Sequence, residues 1–331
     1  MMSLFRNIFL VFVLALVPAL AAAEMSDANL LAQGRLDEAV AALQSKIKSA
    51  PQDAEAHSKL CRAYFDLSDW DNAQTACEEA VALRPDNSQY HLWLGRVYGR
   101  KAEAAHFVSA FGFARKLRTQ FETAVRLDPN NMEARTDLAE FYLEAPGVVG
   151  GGQAKAEDQA AAIGRSDPAR ADWVYGRIAE KKKDFNSAEK YYRAAIQASR
   201  GSAQSWFDLA LFYNHTGHLD QMQDAIAKGS SAPVTLPEIL FESADVLIRN
   251  ERDLPLAKQL LERYLSGMPE RNEALAFKAH YLLGQLLEQQ GNNIGARREY
   301  LASLELDHRY GPSVNALNRV GLAQAAYHPG H

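Results

Sequence analysis

The feature that most constrains this chain is a short segment that occurs twice. Ala-Val-Ala-Leu-Arg-Pro-Asp at residues 80–86 returns as Ala-Val-Arg-Leu-Asp-Pro-Asn at residues 124–130. Each copy ends an amphipathic pattern, and the equivalent prolines are Pro51, Pro85, Pro129 and Pro168. They are separated by 34, 44 and 39 residues. A period in the mid-thirties that is lengthened twice predicts a helical solenoid.

Residues 53–85 show what one repeat contains. Leu60, Tyr64 and Leu67 follow the i, i+4, i+7 spacing of one helix face. A polar turn at 69–72 has N-cap chemistry, and small apolar residues then line a second helix. Neither helix can bury its apolar face alone, so the hairpins must stack on their neighbours. The predicted fold class is therefore all-α.

This pattern resembles the tetratricopeptide repeat. Leu94-Gly95 and Tyr98 begin one unit, and Phe121, Ala124 and Pro129 finish it. The resemblance implies a right-handed superhelical solenoid of antiparallel helix hairpins. The resulting organisation is a partial repeat over 24–52, about seven repeats over 53–308 and a capping helix over 309–326.

The first 23 residues have the composition of a cleavable secretory signal. Arg6 supplies a positive charge, residues 8–17 are apolar, and alanines precede Glu24. A retained membrane anchor is the alternative. However, the apolar stretch from residue 8 to residue 23 has 16 residues and contains Pro18, whereas a spanning helix needs ~20 apolar residues. We therefore expect removal of residues 1–23, no membrane span afterwards, and a periplasmic or secreted protein.

The charge of the chain limits which kinds of partner it can bind, and its cysteine content bears on the cellular compartment. The net charge of −5 becomes −6 without Arg6, which argues against a nucleic-acid partner because such a partner needs a basic face. Cys61 and Cys77 lie on the two helices of one repeat. In an exported chain they either form a disulfide or remain two small core residues.

Two adjacent repeats carry insertions between their first and second helices, ten residues within 102–118 and five within 144–152. Equivalent turns of consecutive repeats point along one edge, so we expect the insertions to be neighbours. The first contains Phe107, Phe111 and Phe113. Apolar clusters outside a regular core often mark contact surfaces. The alternative is that these rings fold back over the neighbouring turn.

The second insertion contains Gly150, Gly151 and Gly152, with Lys155 shortly after. It is not a phosphate-binding P-loop, because no Gly-Lys-Ser/Thr follows and no strand precedes it. Amides leading into a helix can hold an anion, but glycines also serve a tight reversal with positive φ. Residues 145–152 resemble a segment of some exported bacterial repeat proteins.

Ligands of tetratricopeptide proteins commonly lie in the groove lined by the first helices. The repeat register predicts that seven aromatic or basic side chains project there: Arg62, Arg96, Trp173, Arg177, Phe207, Phe241 and Tyr281. Aromatic residues and arginine dominate binding hot spots, and arginine suits a carboxylate or an acidic segment. The alternative is that some of these side chains pack against the previous hairpin.

The sequence contains no motif of a hydrolase, metalloprotease or nucleotide-binding enzyme. Two histidines at 215 and 218 lack a third metal ligand. We therefore expect no enzymatic activity, cofactor or metal centre. The predicted function is a scaffold of the bacterial cell envelope that binds a protein or an extended peptide. The alternative is an envelope protein that binds a small molecule or glycan in a pocket at the inserted edge.

Overall fold

The computed structural model describes residues 26–266 and 275–327, which form seventeen α-helices and one 3₁₀ turn and contain no strand. The predicted signal at 1–23 lies outside the described residues. None of the described helices is both long and apolar enough to cross a bilayer. The helices are α1 (Asp27–Ala32), α2 (Leu36–Ser49), α3 (Ala54–Asp66), α4 (Trp70–Leu83), α5 (Ser88–Ala104), α6 (Phe107–Leu127), α7 (Met132–Glu144), α8 (Gln153–Ile163), α9 (Pro168–Lys181), α10 (Phe185–Ala198), α11 (Ala203–His215), α12 (Leu219–Ser230), α13 (Glu238–Arg249), α14 (Leu254–Leu265), α15 (Ala276–Gln289), α16 (Asn293–Leu306) and α17 (Gly311–Tyr327).

Consecutive helices pair into hairpins from α1/α2 to α15/α16, and α17 packs against α16. This arrangement confirms the predicted all-α solenoid of the tetratricopeptide type. Side-chain caps define where helices begin: Asp53, Asp69 and Asn87 each accept a backbone N–H bond from the first turn that follows. Each such cap contributes about 1 kcal/mol to helix stability.

The small residue of the repeat signature allows the two helices of a hairpin to approach closely. A Cβ atom on Gly176 would lie 3.0 Å from Cε1 of Tyr192, and one on Gly284 would lie 2.5 Å from Cε1 of Tyr300. Both tyrosine rings are buried in the core. The glycine and the ring that covers it therefore set the spacing of the two helices, because a close-packed core leaves no room for an added methyl group.

The tyrosine of the signature connects successive repeats. Its hydroxyl donates to a carboxylate on the second helix of the preceding repeat: Tyr98 to Glu78 at 2.7 Å, Tyr142 to Glu122 at 2.9 Å and Tyr213 to Glu189 at 2.7 Å. Burial, together with the bond to Glu189, raises the pKa of Tyr213 to about 12. These bonds hold the hairpins in register beyond what apolar packing provides, because a bond to a charged group contributes about 1.5–3 kcal/mol.

The two insertions are neighbours, as the repeat geometry predicted. Arg118, near the middle of α6, donates from Nη1 to the carbonyl oxygen of Val149 in the 3₁₀ turn Gly147–Val149, at 3.0 Å. The first insertion is not a separate loop. It lengthens the hairpin, so that α5 has 17 residues and α6 has 21. The extra residues continue the helices because they contain good helix formers and no proline.

The two ends of the solenoid contact each other, which the sequence did not predict. Leu36 of α2, Ala63 of α3 and Phe277 of α15 form one buried cluster, each at most 1% exposed. Beside them, the backbone amide of His308 donates to Oδ2 of Asp37 at 2.8 Å. We call this contact between α1–α3 and α15–α17 the seam. The seam therefore brings the first hairpins of the stack into contact with the last.

Candidate functional site

The first helices of the hairpins form an inner layer. Helices α3, α5, α7, α9, α11 and α13 each contact the next first helix in this series. In the described part of the chain, the second helices make no comparable contact with one another. A stack whose first helices converge and whose second helices diverge is concave on the side of the first helices. We call the surface of these six helices on the concave side the inner face.

One cluster on the inner face is built around Trp93 of α5. Arg62 and Arg96 place their guanidinium carbons 4.9 and 4.8 Å from the centre of its ring. The guanidinium of Arg96 also donates to Asp137 at 2.7 Å and to Glu133 at 3.0 Å, both on α7. The result is a cation–π stack that carboxylates of the neighbouring helix hold in one orientation.

A second cluster repeats this arrangement around Trp173 of α9. The guanidinium carbons of Arg170 and Arg177 lie 5.0 and 5.8 Å from its ring centre. Arg177 donates to Glu140 at 3.0 Å and to Glu144 at 3.2 Å across the gap to α7. Trp173 is half-buried, so part of its ring faces solvent. We call the two clusters the tryptophan stacks.

Buried carboxylates adjoin the second stack. Asp208 of α11 accepts one bond from Nε2 of Gln204 at 2.9 Å. Burial raises the pKa of Asp208 to about 6, although the positive charges of Arg170 and Arg177 oppose this shift. Burial also raises the pKa of Glu140, against the opposing effect of Arg177. A further cation at this place would favour the charged forms of both groups.

Two predicted groove residues do not face the groove. Phe207 is 5% exposed and Phe241 is 9% exposed, and both belong to the core between hairpins. The prediction that these two rings project into the groove does not hold, because both are buried. Phe241, for example, lies 5.9 Å from Tyr264 on α14, the second helix of its own hairpin. Tyr281 is half-buried, and its hydroxyl accepts a bond from Gln285 at 2.9 Å.

The phenylalanines of the first insertion pack inward where the structure describes them. Phe113 lies 6.2 Å from Tyr98 and packs against the core of α3–α5. Phe111 is half-buried against the core that contains α7 and α8. The side chain of Phe107 lies outside the described part. This geometry favours the alternative in which the rings cover the neighbouring turn.

The glycine turn uses its own amides and cannot offer them to an anion. The N–H groups of Gly150, Gly151 and Gly152 donate to the carbonyl oxygens of Gly147, Pro146 and Tyr142. The ammonium group of Lys155 donates to the carbonyl oxygen of Gly150 at 2.9 Å. Gly150 has φ +100°, so the reversal requires a residue without a side chain. The geometry therefore favours the tight reversal over anion binding by these three amides.

The cysteine pair forms a disulfide. Cys61 on α3 and Cys77 on α4 are joined, with their Cα atoms 5.1 Å apart. Both residues are buried, so the bond connects the two helices of one hairpin inside the core. The alternative of two reduced core residues does not hold in this structure.

One cavity of the described residues lies at the seam. It has a volume of about 750 Å³ and is lined on one side by Trp70, Lys101 and Phe113 and on the other by Phe277 and Tyr310. At the same seam, Asp37, Asp307 and His308 bring three potential ligand atoms within 4.8 Å of one another. Nδ1 of His308 lies 2.7 Å from Asp37, so a hydrogen bond accounts for their proximity.

Sequence reasoning missed three parts of these sites. Trp93 was not predicted to line the groove, because it stands one residue beside the position that the repeat register places there. Its i, i+3 spacing to Arg96 nevertheless indicates that the two side chains share one helix face. Glu133 and Asp137 likewise share a face by their i, i+4 spacing. The seam left no signal in the sequence, because its residues are separated by most of the chain.

Comparisons with known proteins agree with this fold. Profiles described as tetratricopeptide repeat match residues 30–98 and 170–201. The structure of yeast Tom70 aligns with a TM-score of 0.54 and 14% identity over 88% of this chain, and the chain spans 59% of that structure. No curated protein matches in sequence. The chain therefore contains tetratricopeptide repeats over these residues and folds as a solenoid of the tetratricopeptide type.

Two bacterial or peptide-binding repeat structures show weaker similarity. A tetratricopeptide repeat protein from Parabacteroides merdae aligns over 89% of this chain and 96% of its own, at 12% identity and a TM-score of 0.45. YrrB, described as a tetratricopeptide repeat protein with an unusual peptide-binding site, aligns over 66% of this chain and 96% of its own, at 15% identity and a TM-score of 0.37.

Proposed function

We propose that this protein is a non-enzymatic scaffold that binds an extended segment of another protein along its inner face. Its fold supports a role in protein–protein interaction. The observation that carries the proposal is the second tryptophan stack, where the half-buried ring of Trp173 lies between Arg170 and Arg177. Trp93 is 7% exposed, so the first stack offers its arginines rather than its ring. Ion pairs already hold Arg96 and Arg177 in place, so binding would cost little further side-chain entropy.

The charges around the stacks favour a ligand segment that carries a lysine or arginine. Arg96 and Arg177 are each paired with two carboxylates of α7, so an acidic ligand would have to displace partners that are already present. Asp208 has no ion pair within 4 Å among the described residues, and burial penalises its charge. A ligand cation near Asp208 would remove that penalty, with an apolar ligand residue against Trp173.

An array of synthetic peptides of graded charge tests this proposal on the full chain. We expect binding to basic peptides that contain an aromatic or aliphatic residue, and a loss of at least fivefold in affinity for Trp173→Ala. Phe185→Ala is the matched control, because Phe185 is 46% exposed on the second helix α10. If Trp173→Ala and the control bind the same peptides equally well, the inner face is not the binding surface.

We also propose that the protein acts in the bacterial cell envelope. The apolar segment before residue 24 supports export, and the Cys61–Cys77 disulfide suits an oxidising compartment. Expression of the full chain with a carboxyl-terminal tag, followed by fractionation and amino-terminal sequencing, tests this proposal. We expect periplasmic or secreted protein that begins at Glu24. A cytoplasmic protein that begins at the initiator methionine would contradict it.

The alternative of a small-molecule or glycan pocket beside the glycine turn has little support. The seam cavity and two smaller cavities, beside Phe65 and beside His280, are lined by residues other than 144–152. The turn is filled by its own hydrogen bonds and by the guanidinium of Arg118. We therefore propose no ligand there.

A further inference from the structure

We propose that the seam cleft is a second binding site, which takes a small, flat, apolar molecule that carries an anionic group. The cleft is the cavity of about 750 Å³ between the two ends of the solenoid. This site is separate from the inner face, and it does not depend on the binding of a peptide there.

The size and walls of the cleft suit a small organic molecule. Its volume lies within the range of about 300–1,000 Å³ that is usual for small-molecule sites. The partly exposed rings of Trp70 and Phe113 stand on one side and that of Tyr310 on the other, whereas the ring of Phe277 is buried in the seam cluster. Aromatic faces stack well on flat apolar groups, which adds a directional contact to the burial of apolar area.

The charges of the cleft favour an anion, because its acidic residues are already engaged. Asp69 caps α4 and accepts bonds from the backbone and the side chain of Asn72. Asp71 pairs with Lys101 at 2.6 Å. Asp307 is buried and accepts the backbone amide of Arg309.

A cation remains at the mouth of the cleft. The guanidinium of Arg309 is exposed at the cleft and lies within 4 Å of no carboxylate among the residues that the structure describes, although its charge acts on the buried Asp307. Lys278 adds positive charge on the same side, with its ammonium 5.4 Å from the ring centre of Phe277. A carboxylate, sulfonate or phosphate of the ligand would therefore face Arg309, whose planar guanidinium can donate two parallel hydrogen bonds to two oxygens of such a group.

The position of the cleft couples its occupancy to closure of the solenoid. Residues 67–71 and 101–113 supply one wall, and residues 277–278 and 307–311 supply the other. A molecule that touches both walls binds only when the ends are together. By linkage it would stabilise the closed form, since a ligand shifts a conformational equilibrium by its difference in affinity for the two states.

Two fluorescent probes test the site on the full chain: 1-anilino-8-naphthalenesulfonate, and its uncharged analogue N-phenyl-1-naphthylamine. We expect saturable binding of the sulfonate, tighter than that of the analogue by at least fivefold. Arg309→Gln should abolish this preference, and Phe113→Ala should weaken both probes. Phe185→Ala removes an exposed ring on the outer side and should leave both affinities unchanged.

Several outcomes separate the proposal from non-specific binding. Equal affinity for the two probes in the unmodified protein would overturn the claim that the ligand carries an anionic group. Equal losses of affinity in Phe113→Ala and Phe185→Ala would overturn the claim that the cleft is the binding site. Arg309 is exposed, so Arg309→Gln remains informative even where Phe113→Ala fails to fold. Saturating sulfonate should raise the melting temperature of the unmodified protein more than that of Arg309→Gln, because binding to the folded state stabilises it. An equal rise would overturn the role of Arg309. None of these readouts involves a peptide, so they do not depend on the proposal for the inner face.

Discussion

His308 and Asp37 are hydrogen-bonded across 271 residues of chain. The backbone amide of His308 donates to Oδ2 of Asp37 at 2.8 Å, and its imidazole Nδ1 lies 2.7 Å from the same oxygen. The histidine side chain is 68% exposed, and such a surface pair contributes at most about 1 kcal/mol. The buried cluster of Leu36, Ala63 and Phe277 therefore supplies most of the stability of the seam.

Phe277→Ala should open the seam. Phe277 is 1% exposed, and loss of a buried phenylalanine ring costs about 3–5 kcal/mol. We expect a larger radius of gyration by small-angle X-ray scattering and a lower midpoint of unfolding in urea. The matched variant His308→Ala should change both quantities little. An unchanged radius of gyration in Phe277→Ala would show that the apolar cluster does not hold the ends together.

Gly284→Ala should destabilise the last hairpin, whereas Gly112→Ala should stabilise the protein. A Cβ atom on Gly284 would meet Tyr300 at 2.5 Å, and such overpacking costs about 1–3 kcal/mol. A Cβ atom on Gly112, inside α6, meets nothing within 4 Å, so alanine there gains about 0.5–1 kcal/mol of helix propensity. Chemical denaturation measures both changes. A neutral or stabilising Gly284→Ala would contradict the tight contact with Tyr300.

Loss of the disulfide should lower stability by about 3 kcal/mol, because the bond closes a loop of 16 residues in the unfolded chain. The double variant Cys61→Ala/Cys77→Ala should unfold at a lower temperature than the oxidised protein. A reducing agent should lower the melting temperature of the unmodified protein and leave that of the double variant unchanged. Equal sensitivity of both proteins to the reducing agent would mean that the effect does not arise from this bond.

Asp208→Asn should stabilise the protein at neutral pH and have little effect near pH 4. The folded pKa of Asp208 is about 6, above the ordinary value of 3.8. The stability that the protonated carboxyl contributes to the folded protein is therefore fully present below pH 3.8 and is lost as the pH rises through 6. The difference between the folded pKa and the ordinary pKa corresponds to about 3 kcal/mol in the free energy of unfolding at pH 7.5.

Thermal unfolding from pH 4 to 7.5 measures this difference. Asp224→Asn is the control, because Asp224 is exposed on α12. The gain in Asp208→Asn should grow across this range, while the control should follow the unmodified protein. A constant difference between Asp208→Asn and the unmodified protein at all pH values would show that the carboxylate of Asp208 does not titrate in this range.

The sequence predicted the repeats better than it predicted the binding surface. Leu94-Gly95 and Tyr98 identified a repeat because their roles, close helix approach and a bond to the previous hairpin, recur in several units, as Tyr142 and Tyr213 show. Phe207 and Trp173 occupy equivalent positions in the register, yet Phe207 is buried and Trp173 reaches solvent. The difference depends on the neighbouring hairpin, whose packing a single repeat does not encode.

The amino-acid sequence by itself determined the period, the all-α solenoid and the neighbouring positions of the two insertions, because local helix signals and nearest-neighbour stacking set these features. Only the tertiary structure decided that Arg62 and Arg96 stack on Trp93, that the glycine turn satisfies its own amides, and that the chain closes at the seam. The physical reason is that small rotations between hairpins add up along the solenoid. The accumulated rotation brings Phe277 into the same buried cluster as Leu36, and no local sequence pattern determines that accumulated rotation.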